Sequence, residues 1–148
     1  PQAEKYSIDF VAEEREKGVR VIADSEMLRQ VVMNLALNAI QSMSLSEKEE
    51  RKALLISVGC TDKEEGAEQK GVIIVKDNGC GIPENIQHRI FDPFFTTRKD
   101  GTGLGLSIVQ RIIEGHGADF SMESSPAGTT FKIFLPLDTA LPEGERSV

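Results

Sequence analysis

Apolar residues recur at two different periods along this chain, and the switches between them mark out its elements. From Tyr6 to Val11 apolar and polar residues alternate, the period of a half-buried strand, and Gly18 to Ala23 reads as a second strand or an extended connector. Between Glu26 and Met43 the apolar positions Met27, Leu28, Val31, Val32, Leu35, Ile40 and Met43 follow helical spacing, with Asp24 placed to cap the first turn. Leu54 to Cys60 and Val72 to Asp77 are short β-branched runs on either side of a charged loop and predict paired strands. A short helical piece is expected around Ile86 to Phe91; from Asp92 to Gly103 no period is detectable, which predicts a long loop. Leu104 to Glu114 is helical again and is closed by Gly115 and Gly117. Phe120 and Met122, then Phe131, Ile133 and Leu135, alternate around Ser125-Pro126-Ala127-Gly128, the signature of a hairpin.

Helices and strands interleave, yet at least two strand pairs are joined as hairpins, so the sheet must be mixed. The expected fold class is α/β: a two-layer sandwich in which a mixed β-sheet carries helices packed on one face. A length of 148 residues suits one domain, expected to span residues 1–137, with a polar tail at 138–148 expected to be disordered.

Composition narrows the functional classes. Seventeen basic against 24 acidic side chains leave a net charge of −7, which repels a phosphate backbone and argues against nucleic acid as a partner. Any phosphate must therefore be held locally. The apolar runs are far too short for a membrane span or a signal-peptide core, so no direct membrane contact is expected. Two cysteines, Cys60 and Cys80, are too few for a disulfide framework and read as reduced thiols of a cytoplasmic protein. The first residue is Pro1, expected to be the cut end of a longer polypeptide.

Three stretches carry candidate chemistry. Asn34, Asn38 and Gln41 fall on one face of the most apolar helix, where Asn is a poor choice because its side chain competes for backbone hydrogen bonds. A lone Asn there would be a satisfied buried polar group; two, one turn apart, point to a site, and an amide oxygen is an acceptable Mg²⁺ ligand when phosphates and waters complete the octahedron. Asp77-Asn78-Gly79-Cys80-Gly81 ends an apolar strand. It is a turn signature, but an Asp at a strand end can also accept a hydrogen bond from an exocyclic amine, with Gly79 and Gly81 letting backbone approach a flat ring. Gly101-Thr102-Gly103-Leu104-Gly105-Leu106 runs into a helix and is a plausible phosphate cradle, although it is neither a dinucleotide fingerprint nor a P-loop. Arg98 and Lys99 sit just before it and become phosphate contacts by position. His88 and His116 have no acid or nucleophile at motif spacing and read as structural or exposed.

In order, these motifs resemble those of the GHKL ATPase superfamily, specifically the ATP-binding catalytic domain of bacterial two-component sensor histidine kinases. Asn34-Leu35-Ala36-Leu37-Asn38-Ala39 resembles the N box and Asp77 to Pro83 the first glycine box. Phe91-Asp92-Pro93-Phe94-Phe95-Thr96-Thr97 resembles the F box, Gly101 to Leu106 the second glycine box, and Gly128-Thr129-Thr130-Phe131 the last. The resemblance implies a sheet backed by three helices and ATP held beneath a mobile lid of about Pro83 to Asp100. It implies adenine read by Asp77 with Gly79, Gly81 and Ile82 around it, Mg²⁺ on Asn38 with Asn34 beside it, and phosphates on the N–H groups of Gly103, Leu104, Gly105 and Leu106. Thr130 joins the implied ATP-binding set, as do Gln41, Arg98, Lys99, Gly101 and Thr102.

Gln41 stands where many histidine kinases have a Lys, which shifts phosphate neutralisation toward Arg98 and Lys99. Neither histidine is followed by an acidic residue, so the phosphoacceptor box is missing from these residues and its dimerisation domain is expected elsewhere, with a response regulator downstream. Asn34 also occupies the place where ATP-hydrolysing members of the gyrase, mismatch-repair and chaperone kind carry a Glu that activates water. The resemblance therefore implies a protein-histidine kinase module. A hydrolase, a serine-protein kinase or anti-sigma module, and an interaction module that binds no nucleotide are the alternatives.

Overall fold

Asp24 sets where the first helix starts. Its backbone is extended and its side chain accepts the Met27 N–H at 3.0 Å, satisfying a donor that the helix itself cannot. In the computed structural model, which describes residues 7–96 and 103–138, helix α1 then runs Ser25–Leu45. It ends at Ser46, whose N–H turns back to the Met43 carbonyl. Val31, Leu35, Ala39, Ile40 and Met43 form its buried stripe, while Met27, assigned by spacing to the apolar face, is largely exposed.

Five strands make one sheet: β1 (Asp9–Glu14), β2 (Ala53–Cys60), β3 (Lys70–Asp77), β4 (Asp119–Ser125) and β5 (Gly128–Pro136), in the order β1-β2-β3-β5-β4. Only β1 and β2 pair in parallel, from Asp9 opposite Ala53 to Glu14 opposite Val58; the other neighbours are antiparallel. A parallel pair needs a long crossover, which α1 provides. The sheet is mixed, as the interleaved pattern predicts. β1 lies three residues further along than the alternation from Tyr6 suggests: it is an edge strand with mostly exposed side chains, so pairing with β2, not burial, sets its limits. Residues 18–23 form no strand. Val21 makes a single bridge to Leu137 and Gly18 adopts φ 72°, which breaks the extended chain.

A 3₁₀ helix at Glu84–Arg89 stands where a short helical piece is predicted, and α2 runs Gly105–Gly115. Among the described residues there are thus two α-helices and one 3₁₀ helix behind the sheet, against the three helices the resemblance implies. The core lies between layers. Along β5, Thr129, Phe131, Ile133 and Leu135 turn toward the helices, where Val75 of β3, Leu35 and Met43 of α1, and Val109 and Ile113 of α2 meet them. Each such buried aliphatic side chain stabilises the fold by ~1.5–3 kcal/mol relative to leaving it in water.

His116 joins the two helices. Its Nδ1 lies 2.7 Å from the Ile112 carbonyl and must donate, which leaves Nε2 to accept the Asp24 N–H at 3.0 Å. The end of α2 is thereby tied to the start of α1, a structural role, whereas His88 is exposed. Asp138, placed by sequence in the tail, donates its N–H to the Arg20 carbonyl at 2.8 Å; residues 139–148 lie outside the described residues.

Candidate functional site

The helix-facing stripe of β3 reads Ile73, Val75, Asp77, so strand alternation carries a carboxylate into an apolar layer at the strand's end. Asp77 is only 5% exposed. Its Oδ1 accepts the Gly79 N–H at 2.8 Å and its carboxylate also accepts the Thr129 N–H. Burial pushes its pKa above the usual carboxylate range, while those two N–H groups and the positive charge of Lys48 pull the other way.

Asp77 forms one wall of a cavity of about 390 Å³. Helix α1 supplies the facing wall from a second stripe beside its buried one: Asn34, Asn38, Gln41 and Leu45 follow i, i+4, i+7, i+11, with Ser42 alongside. Cys80 through Pro83, Ile86 and Ile90 close a third side, and Gly103, Gly105 and Leu106 at the start of α2 a fourth; Thr129 and Phe131 of β5 line it too, as do Phe95 and Thr96. The structure therefore brings Asn34, Asn38, Gln41, Asp77, Gly81, Ile82, Gly103, Gly105 and Leu106 around one space. Arg98, Lys99, Gly101 and Thr102 lie outside the described residues.

The geometry changes the reading of four sequence assignments. Thr130 does not face the cavity: β5 alternates, and Thr130 lies on the opposite face, lining a groove with Lys76 and Glu123, while Thr129 turns inward. Gly79 is absent from the lining. A Cβ there would come within 2.4 Å of Ser42 Oγ and 3.0 Å of the Met43 nitrogen, so this glycine serves the close approach of α1 and not of a flat ligand. Gly81 does line the cavity, but its φ of +74° and a Cβ that would fall 1.9 Å from the Ser125 carbonyl oxygen show that the protein's own hairpin demands it. Leu104, too, stands behind the lining as the residue before α2; its carbonyl accepts from Ile108 and Ser107.

Sequence reasoning missed Thr129, Ser42, Leu45 and the hydroxyl relay behind Asp77. The Ile82 N–H donates to Ser124 Oγ at 2.7 Å, and Ser124 shares a hydrogen bond of 2.8 Å with Thr129 Oγ1, which locks the turn after β3 to the β4–β5 hairpin. Continuing the Asn34–Asn38 spacing by two more turns would have found Leu45 and Ser42; nothing local in sequence signals the relay.

At the start of α2 the N-cap Leu104 offers no side-chain acceptor and, among the described residues, no side-chain cap is seen, so the N–H groups of the first turn can meet an anion where the helix dipole favours one. Buried Nδ2 of Asn34 has no hydrogen-bond partner among the described residues. A phosphate oxygen would satisfy it. A cation beside Asn38 would find a neutral amide oxygen and no cluster of three or more acidic, Cys or His side chains among the described residues, a donor set that suits Mg²⁺ carried by phosphates and unsuited to an all-protein metal cage.

Gly105 tests the approach of a ligand without disturbing the protein. A Cβ there meets nothing within 4 Å and its φ is ordinary. Gly105→Ala should leave the melting temperature unchanged or raise it slightly, since Ala favours a helix by ~1 kcal/mol over Gly. It should weaken nucleotide binding severalfold in a calorimetric titration; unaltered affinity would place the phosphates elsewhere.

The chain that builds this cavity has known relatives. Residues 23–139 match the model of the histidine kinase-, DNA gyrase B- and HSP90-like ATPases. The chain belongs to this family. Within it the ATPase domain is similar to sensor kinases: it is 38% identical over 142 residues to the signal transduction histidine-protein kinase AtoS of Escherichia coli K12, covering 95% of this chain and 21% of AtoS. It thus spans about a fifth of that relative. Its fold matches the catalytic domain of histidine kinase ThkA, with a TM-score of 0.72 and 36% identity over 91% of this chain and 82% of that one. Full-length ShkA, solved in complex with AMPPNP, matches with a TM-score of 0.75 and 26% identity, covering 96% of this chain and 28% of ShkA. No helix among the described residues is long and apolar enough to cross a membrane.

Proposed function

We propose that this domain binds Mg·ATP in the cavity and donates the γ-phosphate to a histidine on a separate dimerisation domain, as the catalytic half of a cytoplasmic sensor kinase that serves a response regulator. Residues 1–137 are the catalytic unit in this reading. Asp77 accepts from the adenine amino group, Asn34 and the first turn of α2 meet phosphate oxygens, and Asn38 offers its amide oxygen to the metal. Mg²⁺, when bound, neutralises developing charge on the transferred group, and Arg98 and Lys99 add to that neutralisation.

The observation that carries this reading is the poverty of acid and base in the cavity. Among the described lining residues Asp77 is the only ionisable group apart from the Cys80 thiol, and its carboxylate is occupied by two backbone N–H groups. Asn34 lines the cavity, and by the family resemblance it holds the place where hydrolysing members carry a water-activating Glu. Phosphoryl transfer requires positioning and charge neutralisation more than covalent chemistry, so such a site holds a donor and leaves the nucleophile to another domain. AMPPNP in ShkA and the sensor-kinase names of the relatives support the same reading.

Mixing the domain with a separately produced helical domain bearing the acceptor histidine, in γ-labelled ATP and Mg²⁺, tests it. Label should reach the histidine faster than free phosphate appears. Predominant phosphate release would favour a hydrolase, and no saturable ATP binding would leave an interaction module.

A further inference from the structure

Lys48, three residues beyond α1, has no place in the site as the sequence motifs define it. It is half-buried, its backbone N–H is held toward Ser46 Oγ at the helix end, and its ammonium reaches the turn that follows β3. Nζ donates to the Gly79 carbonyl at 2.7 Å and lies 3.4 Å from that of Asn78. These carbonyls flank Gly79: that of Asn78 belongs to the same peptide as the Gly79 N–H, and that of Gly79 to the next. The same turn is pinned from the other side by Asn78, whose Oδ1 accepts the Ala53 N–H and whose Nδ2 donates to the Arg51 carbonyl, both at 2.8 Å.

We propose that Lys48 is a positioning residue for the adenine-reading carboxylate: its ammonium clamps the Asn78 and Gly79 carbonyls, fixing the peptide whose N–H holds Asp77 Oδ1 in its aim. This rests on the nucleotide reading of the cavity. A carbonyl pair drawn toward a cation orients the Gly79 peptide, and the resulting 2.8 Å bond leaves Asp77 a single direction in which to accept. The same positive charge favours the ionised carboxylate against its burial. Among the described residues few other charges compete: Asn34, Asn38 and Ser42 line the cavity with Asp77 from α1, Thr129 from β5, and Cys80 and Ile82 from the turn, and none of these is an acidic or basic side chain. Lys76 and Glu123 share only the groove on the opposite face of the sheet.

Three variants separate geometry from charge: Lys48→Met removes both, Lys48→Gln keeps a donor, and Lys48→Arg keeps charge and donors. ATP affinity should fall about threefold to tenfold in Lys48→Met and recover at least half-way in Lys48→Arg. Carboxyl-¹³C NMR titration of Asp77 in the nucleotide-free domain should show its midpoint moving up in Lys48→Met and Lys48→Gln and staying near wild type in Lys48→Arg. That readout needs no nucleotide, so it stands even if ATP does not bind, in which case the function proposed above fails and the clamp is judged on Asp77 alone. Equal affinities with an unmoved midpoint in Lys48→Met, or in Lys48→Gln should the Met variant not fold, would overturn the inference.

Discussion

Asp77→Asn should weaken ATP binding about 10- to 100-fold, the loss expected when a hydrogen bond to a charged acceptor worth ~1.5–3 kcal/mol is removed. An amide can keep the Gly79 N–H on its oxygen, but its NH₂ must then face the Thr129 N–H or the adenine amine, and each of those is itself a donor. The pH dependence has opposite signs for stability and for ATP affinity: burial alone produces the first, and only nucleotide recognition produces the second. Burial raises the pKa of Asp77 in the folded protein, so its contribution to stability is greatest below the unfolded carboxylate pKa and is lost as pH rises through the folded value. On acidification from neutral pH through that raised value, the melting temperature of the free wild type should gain on that of Asp77→Asn. Over the same range ATP affinity of the wild type should fall, because a proton takes the place of the adenine amine, while that of the variant stays flat. Calorimetric titration and thermal melts across the acid range read both; affinity independent of pH in the wild type would remove Asp77 from nucleotide recognition.

The elements that could be read from sequence are those whose signals are local. Asp24 caps α1 because its side chain serves a donor three residues on, and the β4–β5 hairpin follows from strict alternation around a tight turn. Asn34 and Asn38 stood out because they conflict with their surroundings in a helix. What stayed hidden depends on contacts between distant parts of the chain. Thr129 and Thr130 are equivalent by composition, and only the register of β5 against β3, with Phe131 opposite Val75, decides which one faces the cavity. Gly79 and Gly81 were recognisable as required, yet the reason lies in Ser42 and Ser125, 37 and 44 positions away in the chain. Lys48 reaches the Gly79 carbonyl across 31 positions from a charged stretch that by default reads as solvated surface.

Gly128 concentrates that lesson, and its substitution should damage fold and site together. Its φ is +136°, and a Cβ built on it would fall 2.0 Å from the Asp77 carbonyl oxygen and 2.8 Å from the Asn78 Cα. Both are backbone atoms, so no side chain can swing aside. Backbone strain of ~1–3 kcal/mol and a core overpacking of similar size add, and Gly128→Ala should lose about 2–5 kcal/mol of stability, seen as a midpoint shift in urea. Gly66→Ala is the internal control: φ there is +80° with nothing within 4 Å, so it carries the strain alone and should lose only about 1 kcal/mol. The excess at Gly128 is the clash, and the group that must yield is the peptide carrying Asp77. ATP affinity should therefore fall in Gly128→Ala even at temperatures where the variant is fully folded, while Gly66→Ala binds as the wild type does. If the two variants prove equally stable, β5 and the end of β3 can separate without consequence; unchanged affinity in Gly128→Ala would show that the aim of Asp77 does not depend on the hairpin behind it.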